Sequence, residues 1–432
     1  IGESHALTNL GLISQAQVNM TQALNYHQRS LSIAQTRQTP PYQQAVSIAL
    51  NNLGIAHFSN GDYTQALHCH QQRLHISQTL EDLPSQMKTL GNLGSTYLAL
   101  GKFDDAMTAL NQCLTHAIDL NDIQLQGYAN GALGTAHAVQ HQYEQAIVYH
   151  QNHLALAHTI QEHSGQEQAL SNLCGAYTAL QQFDKVIEYG QQHLALLHDT
   201  PNPLRAIDTL SRLSRAHRIL GQTGCANSAS THFEQAIAYS QRQLALSDKT
   251  QQPKEMVRAL LSLGQAHDCQ GNPHQAQRHQ ERALAISKTL KDTKLTCSCL
   301  WDLGLTHDQL GNFEKAIEHY QQQLTLEQTE KEQDIRSQFA TLNNLGEAYF
   351  SLPNYEQALS HFQQALSMAE ALNDRFSYLR LLNSVGATQL YLNCPQQARL
   401  TCEKAILLAQ SLKDTQAEEK ARYNLDISIQ QL

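Results

Sequence analysis

Apolar residues recur along the chain with the spacing of amphipathic helices, and the pattern restarts at regular intervals. In segment 89–114, apolar and small residues lie at i, i+3, i+4 and i+7, which is one face of an α-helix. They are Leu90, Leu93, Gly94 and Tyr97. Gly101 ends this helix and a second amphipathic run opens at Ala106. The segment predicts a helical hairpin in which Gly94 contacts Ala106.

Copies of this hairpin fill the chain. The Gly94 position is matched by Gly11, Gly54, Gly134, Cys174, Ser214, Gly264, Gly304, Gly346 and Gly386. The Ala106 position is matched by Ala23, Ala66, Ala146, Val186, Ala236, Ala276, Ala316, Ala358 and Ala398. The step between copies is mostly 40 residues. A fixed period of this size predicts an all-α solenoid of ten hairpins over residues 1–414.

Two stretches depart from the repeat. In the sixth copy the inner turn is ten residues longer, and its Gly/Ser/Thr/Asn-rich sequence over 221–231 predicts a mobile surface loop, either neutral or functional. Residues 415–432 restart the pattern as a single helix, with Asp426 where a glycine belongs. This last segment is either a polar cap or the start of a truncated eleventh repeat. The second interpretation is favoured, because the chain also begins inside a repeat.

Composition narrows the class of protein. Hydrophobic residues make up 41% and aromatic residues only 6%, which suits many thin helices packed through Ala and Leu. No apolar run reaches a membrane span, and no signal peptide is recognised. The nine cysteines show no paired spacing, which indicates a reducing, cytoplasmic compartment. The net charge of −9 argues against nucleic acid as a partner, including an RNA-binding helical array.

The repeat resembles a known family. The pattern Leu-x2-Leu-Gly-x2-Tyr followed by Ala is similar to the tetratricopeptide repeat, although the period exceeds the roughly 34 residues of the common form. Segments 51–58, 149–157 and 312–326 resemble the long repeats of Pins/LGN cell-polarity adaptors and of bacterial, often cyanobacterial, signalling arrays. The resemblance implies a right-handed superhelix whose first helices line a concave groove suited to an extended peptide or a partner helix.

An asparagine precedes the Leu-Gly pair in six copies. The resemblance implies that this position faces the groove, where an amide can donate and accept hydrogen bonds along a peptide backbone. The alternative is that these amides bond to groups of the solenoid itself. The candidates are Asn9, Asn52, Asn92, Asn172, Asn344 and Asn424.

The sixth copy adds a row of arginines. Arg212, Arg215 and Arg218 are spaced at i, i+3 and i+6, and the family analogy also turns them into the groove. Arg258 and Arg380 could extend this positive lining. Guanidinium groups bind carboxylates in bidentate fashion, so the row predicts an acidic peptide as the ligand. The alternative is a solvated face, with Asp208 pairing with Arg212 one turn away.

Other chemistry finds little support in the sequence. Most of the 23 histidines lie in second helices, and no carboxylate or thiol completes a repeated metal-ligand set. They are expected to be solvated or packed between helices, and to make stability pH-sensitive near pH 6. No catalytic motif, metal site or cofactor site is predicted.

Two functions remain in view. The first is a protein-interaction scaffold that binds an extended, acidic peptide or a partner helix in its concave groove. The second is a sensor or oligomerisation arm of a larger multidomain signalling protein whose output domain is absent from this chain. Both leave self-association open.

Overall fold

A computed structural model describes residues 2–37, 39–197, 203–224, 226–329 and 334–432. These residues form helices joined by short turns, and no strand occurs among them. The predicted all-α repeat solenoid is confirmed. The chain divides into two compact units, residues 1–202 and 203–432. The right-handed sense of the superhelix and the domain limits 1–414 and 415–432 stay predictions.

Unit 1 holds five helical hairpins. Odd-numbered helices are the first helix of a repeat and even-numbered helices are the second. Its helices are α1 Gly2–Ala16, α2 Met20–Ala34, α3 Pro40–Ser59, α4 Tyr63–Thr79, α5 Leu83–Ala99, α6 Phe103–Asp119, α7 Ile123–Val139, α8 Tyr143–Thr159, α9 His163–Ala179 and α10 Phe183–Leu196.

Unit 2 holds five more hairpins and a single terminal helix. Its helices are α11 Pro203–Thr223, α12 Ala226–Lys249, α13 Pro253–Cys269, α14 Pro273–Leu290, α15 Thr293–Gln309, α16 Phe313–Thr329, α17 Ile335–Ser351, α18 Tyr355–Ala371, α19 Arg375–Tyr391, α20 Pro395–Leu412 and α21 Thr415–Gln431. Helix α21 packs on both α20 and α19, as a first helix of a further repeat would.

Local sequence explains where the helices end. Gly61 and Gly101 close the first helices of repeats two and three with φ of +84° and +72°, as their positions predict. Between repeats, an aspartate caps the next first helix. The carboxylates of Asp82, Asp122 and Asp414 each accept a hydrogen bond from the backbone N–H three residues on, at 2.9–3.1 Å. These repeats therefore carry their own start and stop signals.

The small residue of the first helix has a different partner from the predicted one. A Cβ atom added to Gly94 would overlap the side chain of Leu110, not that of Ala106. Leu110 lies one helical turn beyond Ala106, so its side chain reaches back over the glycine. Ala106 is itself fully buried. The predicted close approach of the two helices is confirmed, and the side chain nearest to Gly94 is that of Leu110, one turn beyond the predicted Ala106.

The same pairing, 16 residues apart, recurs along the chain with different chemistry. In each case the second-helix side chain fills the space that a Cβ on the glycine would need. The pairs are Gly11 with His27, Gly54 with His70, Gly134 with His150, Gly264 with Gln280, Gly304 with Tyr320, Gly346 with Phe362, and Gly386 with Cys402. In the fifth repeat the small residue changes sides, since Cys174 and the buried Gly190 hold these positions.

The long sixth repeat does not contain the predicted mobile loop. Residues 221–223 extend α11 and residues 226–231 belong to α12, while residue 225 lies outside the described residues. Gly221 is buried, and a Cβ there would overlap Phe233. Ser214 Oγ is 2.6 Å from Ser240 Oγ, so the pair now spans 26 residues. The extra residues lengthen two packed helices, because each can continue on the apolar face of the other.

Candidate functional site

Two of the predicted asparagines of unit 1, Asn52 and Asn92, bond to the solenoid itself. Asn52 accepts a hydrogen bond from Asn51 Nδ2 at 3.2 Å, and Asn92 Nδ2 donates to Asn51 Oδ1 at 3.3 Å. The buried Arg73 donates to the same Asn51 oxygen at 2.7 Å. Burial lowers the pKa of Arg73 to about 10. This network joins α3, α4 and α5, and the sequence pattern missed Asn51 as its centre.

The other predicted asparagines have separate surroundings. Asn9 is exposed on α1. Asn172 is half-buried and accepts a hydrogen bond from Gln168 Nε2 at 3.0 Å, one turn earlier in α9. Asn344 is half-buried close to the Tyr320 hydroxyl. Only Asn424, in α21, lines a cavity. The structure therefore does not gather these amides into one site.

The arginine row is interrupted by local ion pairs. Arg212 Nε lies 2.8 Å from Asp208 Oδ2, and Arg258 Nη1 lies 2.5 Å from Glu255 Oε1. Exposed pairs of this kind contribute only a few tenths of a kcal/mol. Arg215 is exposed. The charge of Arg218 acts to lower the pKa of Asp302 on α15. Arg380 lies apart from this row, on α19.

Arg380 lines a cavity of unit 2 that is formed mainly by first helices. This cavity of about 910 Å³ lies between α17, α19 and α21, and is called the Asn383 cavity below. Its walls combine aromatic rings, amides and charged groups. They include Phe339, Asn343, Glu347, Phe350, Arg380, Asn383, Asp414, Lys420, Tyr423 and Asn424.

The charges of the Asn383 cavity are not equivalent. Glu347 accepts a hydrogen bond from Asn343 Nδ2 at 2.9 Å, and Asp414 caps α21. The exposed Arg380 and Lys420 lie within ion-pair distance of no carboxylate among the described residues. The protein therefore satisfies its two anions here and leaves two cations facing solvent.

The second cavity, of about 800 Å³, has an excess of acidic side chains in its lining. It lies between α13, α15, α16 and α17 and is called the Trp301 cavity below. Its charged lining residues are Lys294, Asp302, Glu327 and Asp334. Asp302 holds the position that asparagine holds in other repeats, so the repeat alignment could have located it. Burial raises the pKa of Asp302 to about 7.

Histidines and cysteines serve packing. The rings of His27, His70 and His150 lie over first-helix glycines. Burial raises the pKa of the Cys113 and Cys299 thiols to about 12, so neither supplies a thiolate at neutral pH. Within the part of the chain that the structure describes, no three His, Cys, Asp or Glu side chains converge on a metal-sized site. No described helix is long and apolar enough to cross a membrane.

Stacked hairpins with a small-residue contact in each pair define an α-solenoid repeat protein. The family model of the tetratricopeptide repeat matches residues 3–78, 45–119, 255–326 and 337–425, which together make up more than half of the chain. The chain therefore belongs to the tetratricopeptide repeat family. A comparison with curated proteins gives no match.

Solved structures of several proteins share this fold. A signal transduction ATPase with numerous domains and a tetratricopeptide repeat sensor, from Pyrococcus horikoshii, is similar with a TM-score of 0.57 and 13% identity over 93% of this chain and 55% of its own. Aspartyl phosphate phosphatase F from Bacillus subtilis has a TM-score of 0.50 and 15% identity, covering 94% of both chains. The apo quorum sensor NprR from B. thuringiensis has a TM-score of 0.50 and 13% identity, over 82% of this chain and 99% of its own. At these identities the likeness is one of fold.

Proposed function

We propose that this chain is a non-catalytic interaction scaffold and that the Asn383 cavity binds an extended peptide or partner helix bearing carboxylates. The observation that carries the proposal is the unequal state of the charges in this cavity. Arg380 and Lys420 face solvent without a carboxylate partner, whereas Glu347 and Asp414 are already hydrogen-bonded. An acidic side chain would give Arg380 and Lys420 the ion-pair partner that neither has among the described residues.

The amides and rings of the cavity support a peptide over a small anion. Asn383 Nδ2 donates to the backbone oxygen of Ala417 at 3.1 Å, which leaves the Asn383 carboxamide oxygen without a partner. A peptide N–H could donate to that oxygen, while Asn343 and Asn424 lie in the same walls. Tyr423 is 68% exposed and offers an apolar surface to a partner side chain.

The remaining predicted positions are further candidates, each within its own unit. Arg215 and Asn9 are exposed and are candidates for further ligand contacts. Arg212, Arg218 and Arg258 would contribute by exchanging or sharing their present charge partners. We further propose a cytoplasmic location, as the unpaired cysteine pattern suggests.

Peptide selection tests the proposal directly. A phage-displayed library of twelve-residue peptides would be panned against the full chain. We expect enrichment of Asp and Glu, and loss of the selected peptides on Arg380→Gln/Lys420→Gln. The matched control is Arg399→Gln/Lys404→Gln, which removes the same charge from the neighbouring second helix α20. Equal retention by both double variants, or no enrichment, would refute the assignment.

A second candidate role is that of a sensor or oligomerisation arm. The Pyrococcus horikoshii protein joins a tetratricopeptide repeat sensor to an ATPase, and this chain covers 55% of its length. The proposed resemblance to Pins/LGN adaptors and to bacterial signalling arrays fits either role. Analytical ultracentrifugation over a range of concentrations would separate them, because an oligomerisation arm must self-associate and a peptide scaffold need not.

A further inference from the structure

The Trp301 cavity is built for a positive group. Three of its lining side chains carry carboxyls, Asp302, Glu327 and Asp334, against one ammonium group, that of the exposed Lys294. Asp302 is only 7% exposed and accepts a hydrogen bond from Gln265 Nε2 at 2.9 Å. The charge of Arg218 acts on Asp302, but among the described residues no cation lies within ion-pair distance of this carboxyl. A buried carboxylate without a direct cationic partner is unfavourable, so an incoming cation would stabilise it.

A second, independent feature points to a hydrogen-bond donor. Gln323 lines the same cavity and is 2% exposed. Its Nε2 donates to Glu327 Oε1 at 2.8 Å, which fixes the orientation of the amide. The Gln323 carboxamide oxygen is then buried without a hydrogen-bond partner. Buried acceptors are normally satisfied, so an incoming N–H group would complete this one.

The tryptophan supplies an aromatic face at a fixed orientation. Trp301 is half-buried, and its ring meets that of Tyr320 edge-on with centroids 6.2 Å apart. Tyr320 is in turn fixed, because its hydroxyl donates to Asp308 Oδ2 at 2.8 Å. Indole faces attract ammonium and guanidinium groups, and the attraction grows when water is excluded.

We propose that the Trp301 cavity binds the arginine or lysine side chain of a partner peptide. The inference rests on the proposed function, since it assumes that the groove receives a peptide. Helix α17 borders both cavities, with Ser337 and Ala340 lining the Trp301 cavity and Phe339 and Asn343 lining the Asn383 cavity. A peptide that crosses α17 would place a basic residue in the first cavity and an acidic residue in the second.

Tryptophan fluorescence gives a direct readout, because Trp301 is the only tryptophan of the chain. The full chain would be titrated with two neutral Gly/Ser octapeptides that differ in one central residue, arginine or its uncharged analogue citrulline. We expect the arginine peptide to change Trp301 fluorescence and to bind at least about tenfold more tightly than the citrulline peptide. Equal affinity of the two peptides would overturn the proposal.

Asp302→Asn is the decisive variant. Asparagine already stands at this repeat position in Asn52, Asn92 and Asn344, so the variant should fold, as circular dichroism would verify. We expect it to lose about tenfold or more in affinity for the arginine peptide. The matched control is Glu318→Gln, which removes one charge from the exposed surface of α16 and should bind like the wild type. Unchanged binding by Asp302→Asn would overturn the proposal.

The pH profile and a free cation add two further tests. Ionised Asp302 is the form that binds a cation, so the affinity for the arginine peptide should rise from pH 6 to pH 8. The charged groups that neighbour Asp302 are Lys294, Glu327, Asp334, Asp268 and Arg218. A flat profile would contradict the role of Asp302. If agmatine, a free guanidinium compound, bound as tightly as the arginine peptide, the proposal that the cation belongs to a partner peptide would be refuted.

The two proposals can fail separately. If acidic peptides are lost on Arg380→Gln/Lys420→Gln but the arginine and citrulline peptides bind alike, only the inference about Trp301 fails. If library selection yields nothing and the arginine peptide still binds through Asp302, the Asn383 cavity is misassigned and the Trp301 cavity stands as a cation site.

Discussion

The two units cover their first-helix glycines with different side chains, and their buried titratable groups give the stability of each unit a different pH dependence. In unit 1, imidazole rings cover three of the first-helix glycines, and in unit 2 amide, phenol, phenyl and thiol groups cover the corresponding ones. Unit 2 instead carries buried carboxyls on its first helices, at Asp268, Asp302 and Asp308. The same helix packing therefore holds imidazoles, whose protonation it opposes, in unit 1 and carboxyls, whose ionisation it opposes, in unit 2.

The histidines of unit 1 oppose protonation in the folded state. Burial lowers the pKa of His70 and His150 to about 4 and also lowers that of His27 and His153. A folded-state pKa below the unfolded value means that the unfolded chain takes up protons first as the pH falls. The stability of unit 1 is therefore complete above about pH 6.5 and is lost progressively towards pH 4.

The carboxyls of unit 2 act in the other direction. Burial raises the pKa of Asp302 to about 7 and those of Asp268 and Asp308 to about 6. Their favourable contribution is complete below about pH 3.9, the unfolded value, and is lost as the pH rises through 6 to 7. Unit 2 also has histidines of lowered pKa, His217 among them, so its two groups partly cancel.

The largest expected effect comes from filling the shared contact in one unit at a time. A leucine at Gly54 would collide with His70, and one at Gly304 with Tyr320, on helices whose backbones cannot separate freely. We expect each variant to lose about 3 kcal/mol of unfolding free energy. Circular dichroism follows both units during urea unfolding, whereas Trp301 fluorescence follows unit 2 alone. Gly304→Leu should shift the Trp301 signal, and Gly54→Leu should shift only the helical signal.

Gly2→Leu is the control for this pair, because nothing lies within 4 Å of a Cβ at that position. Its unfolding midpoint should match the wild type. A normal midpoint for Gly304→Leu would contradict the assigned contact, whatever the control does.

A smaller effect is expected when a titratable side chain of unit 1 is removed and the contact that it makes stays filled. The variant His70→Leu places a leucine over Gly54. Leucine already fills the equivalent place in the third repeat, where Leu110 covers Gly94. We expect the loss of helical stability between pH 7.5 and pH 5 to shrink by about 2 kcal/mol, because one buried imidazole no longer resists protonation. His5→Leu, on the exposed face of α1, should leave the pH dependence unchanged. An undiminished acid response of His70→Leu would show that other groups control it.

The smallest expected effect concerns the loss of stability of unit 2 at high pH. Asp302→Asn removes a carboxyl that must ionise in a buried place at high pH. We expect the free energy of unfolding, read through Trp301 fluorescence, to rise by roughly 2 kcal/mol more at pH 8 than at pH 5, because the wild-type carboxyl of the folded protein ionises between these two values. Glu318→Gln should show no such pH-dependent gain. A destabilised Asp302→Asn at pH 8 would mean that the carboxylate is compensated in the folded protein.

The repeat itself could be predicted from the sequence, because helix periodicity and turn residues are local. Gly101 adopts a positive φ where its helix was expected to end, and several second helices, α4, α6, α8 and α10 among them, begin at the aromatic residue that follows the inner turn. The partner of Gly94 was misjudged by one turn, because side chains in a helix lean towards its N-terminus. The 221–231 segment was misjudged because packing between two long helices outweighs a weak local preference for helix.

The candidate sites were harder to predict, because each depends on side chains from several repeats. Asn52 and Asn92 both hydrogen-bond to Asn51, and the bond from Asn92 depends on the packing of α5 against α3. The unsatisfied oxygen of Gln323 depends on where Glu327 lies. Arg380 was singled out in the sequence, but its cavity also needs α17 and α21.

The glycine contact also determines how such a chain can change over evolutionary time. Because two positions 16 residues apart share one volume, a larger residue on one helix is tolerated only with a smaller one on the other, as Cys174 and Gly190 illustrate. Substitutions there should spread through lineages as coupled pairs, since either single step leaves a clash or a void. Covariation between these two columns would therefore mark the helix pairs even in chains whose overall sequence has drifted beyond recognition.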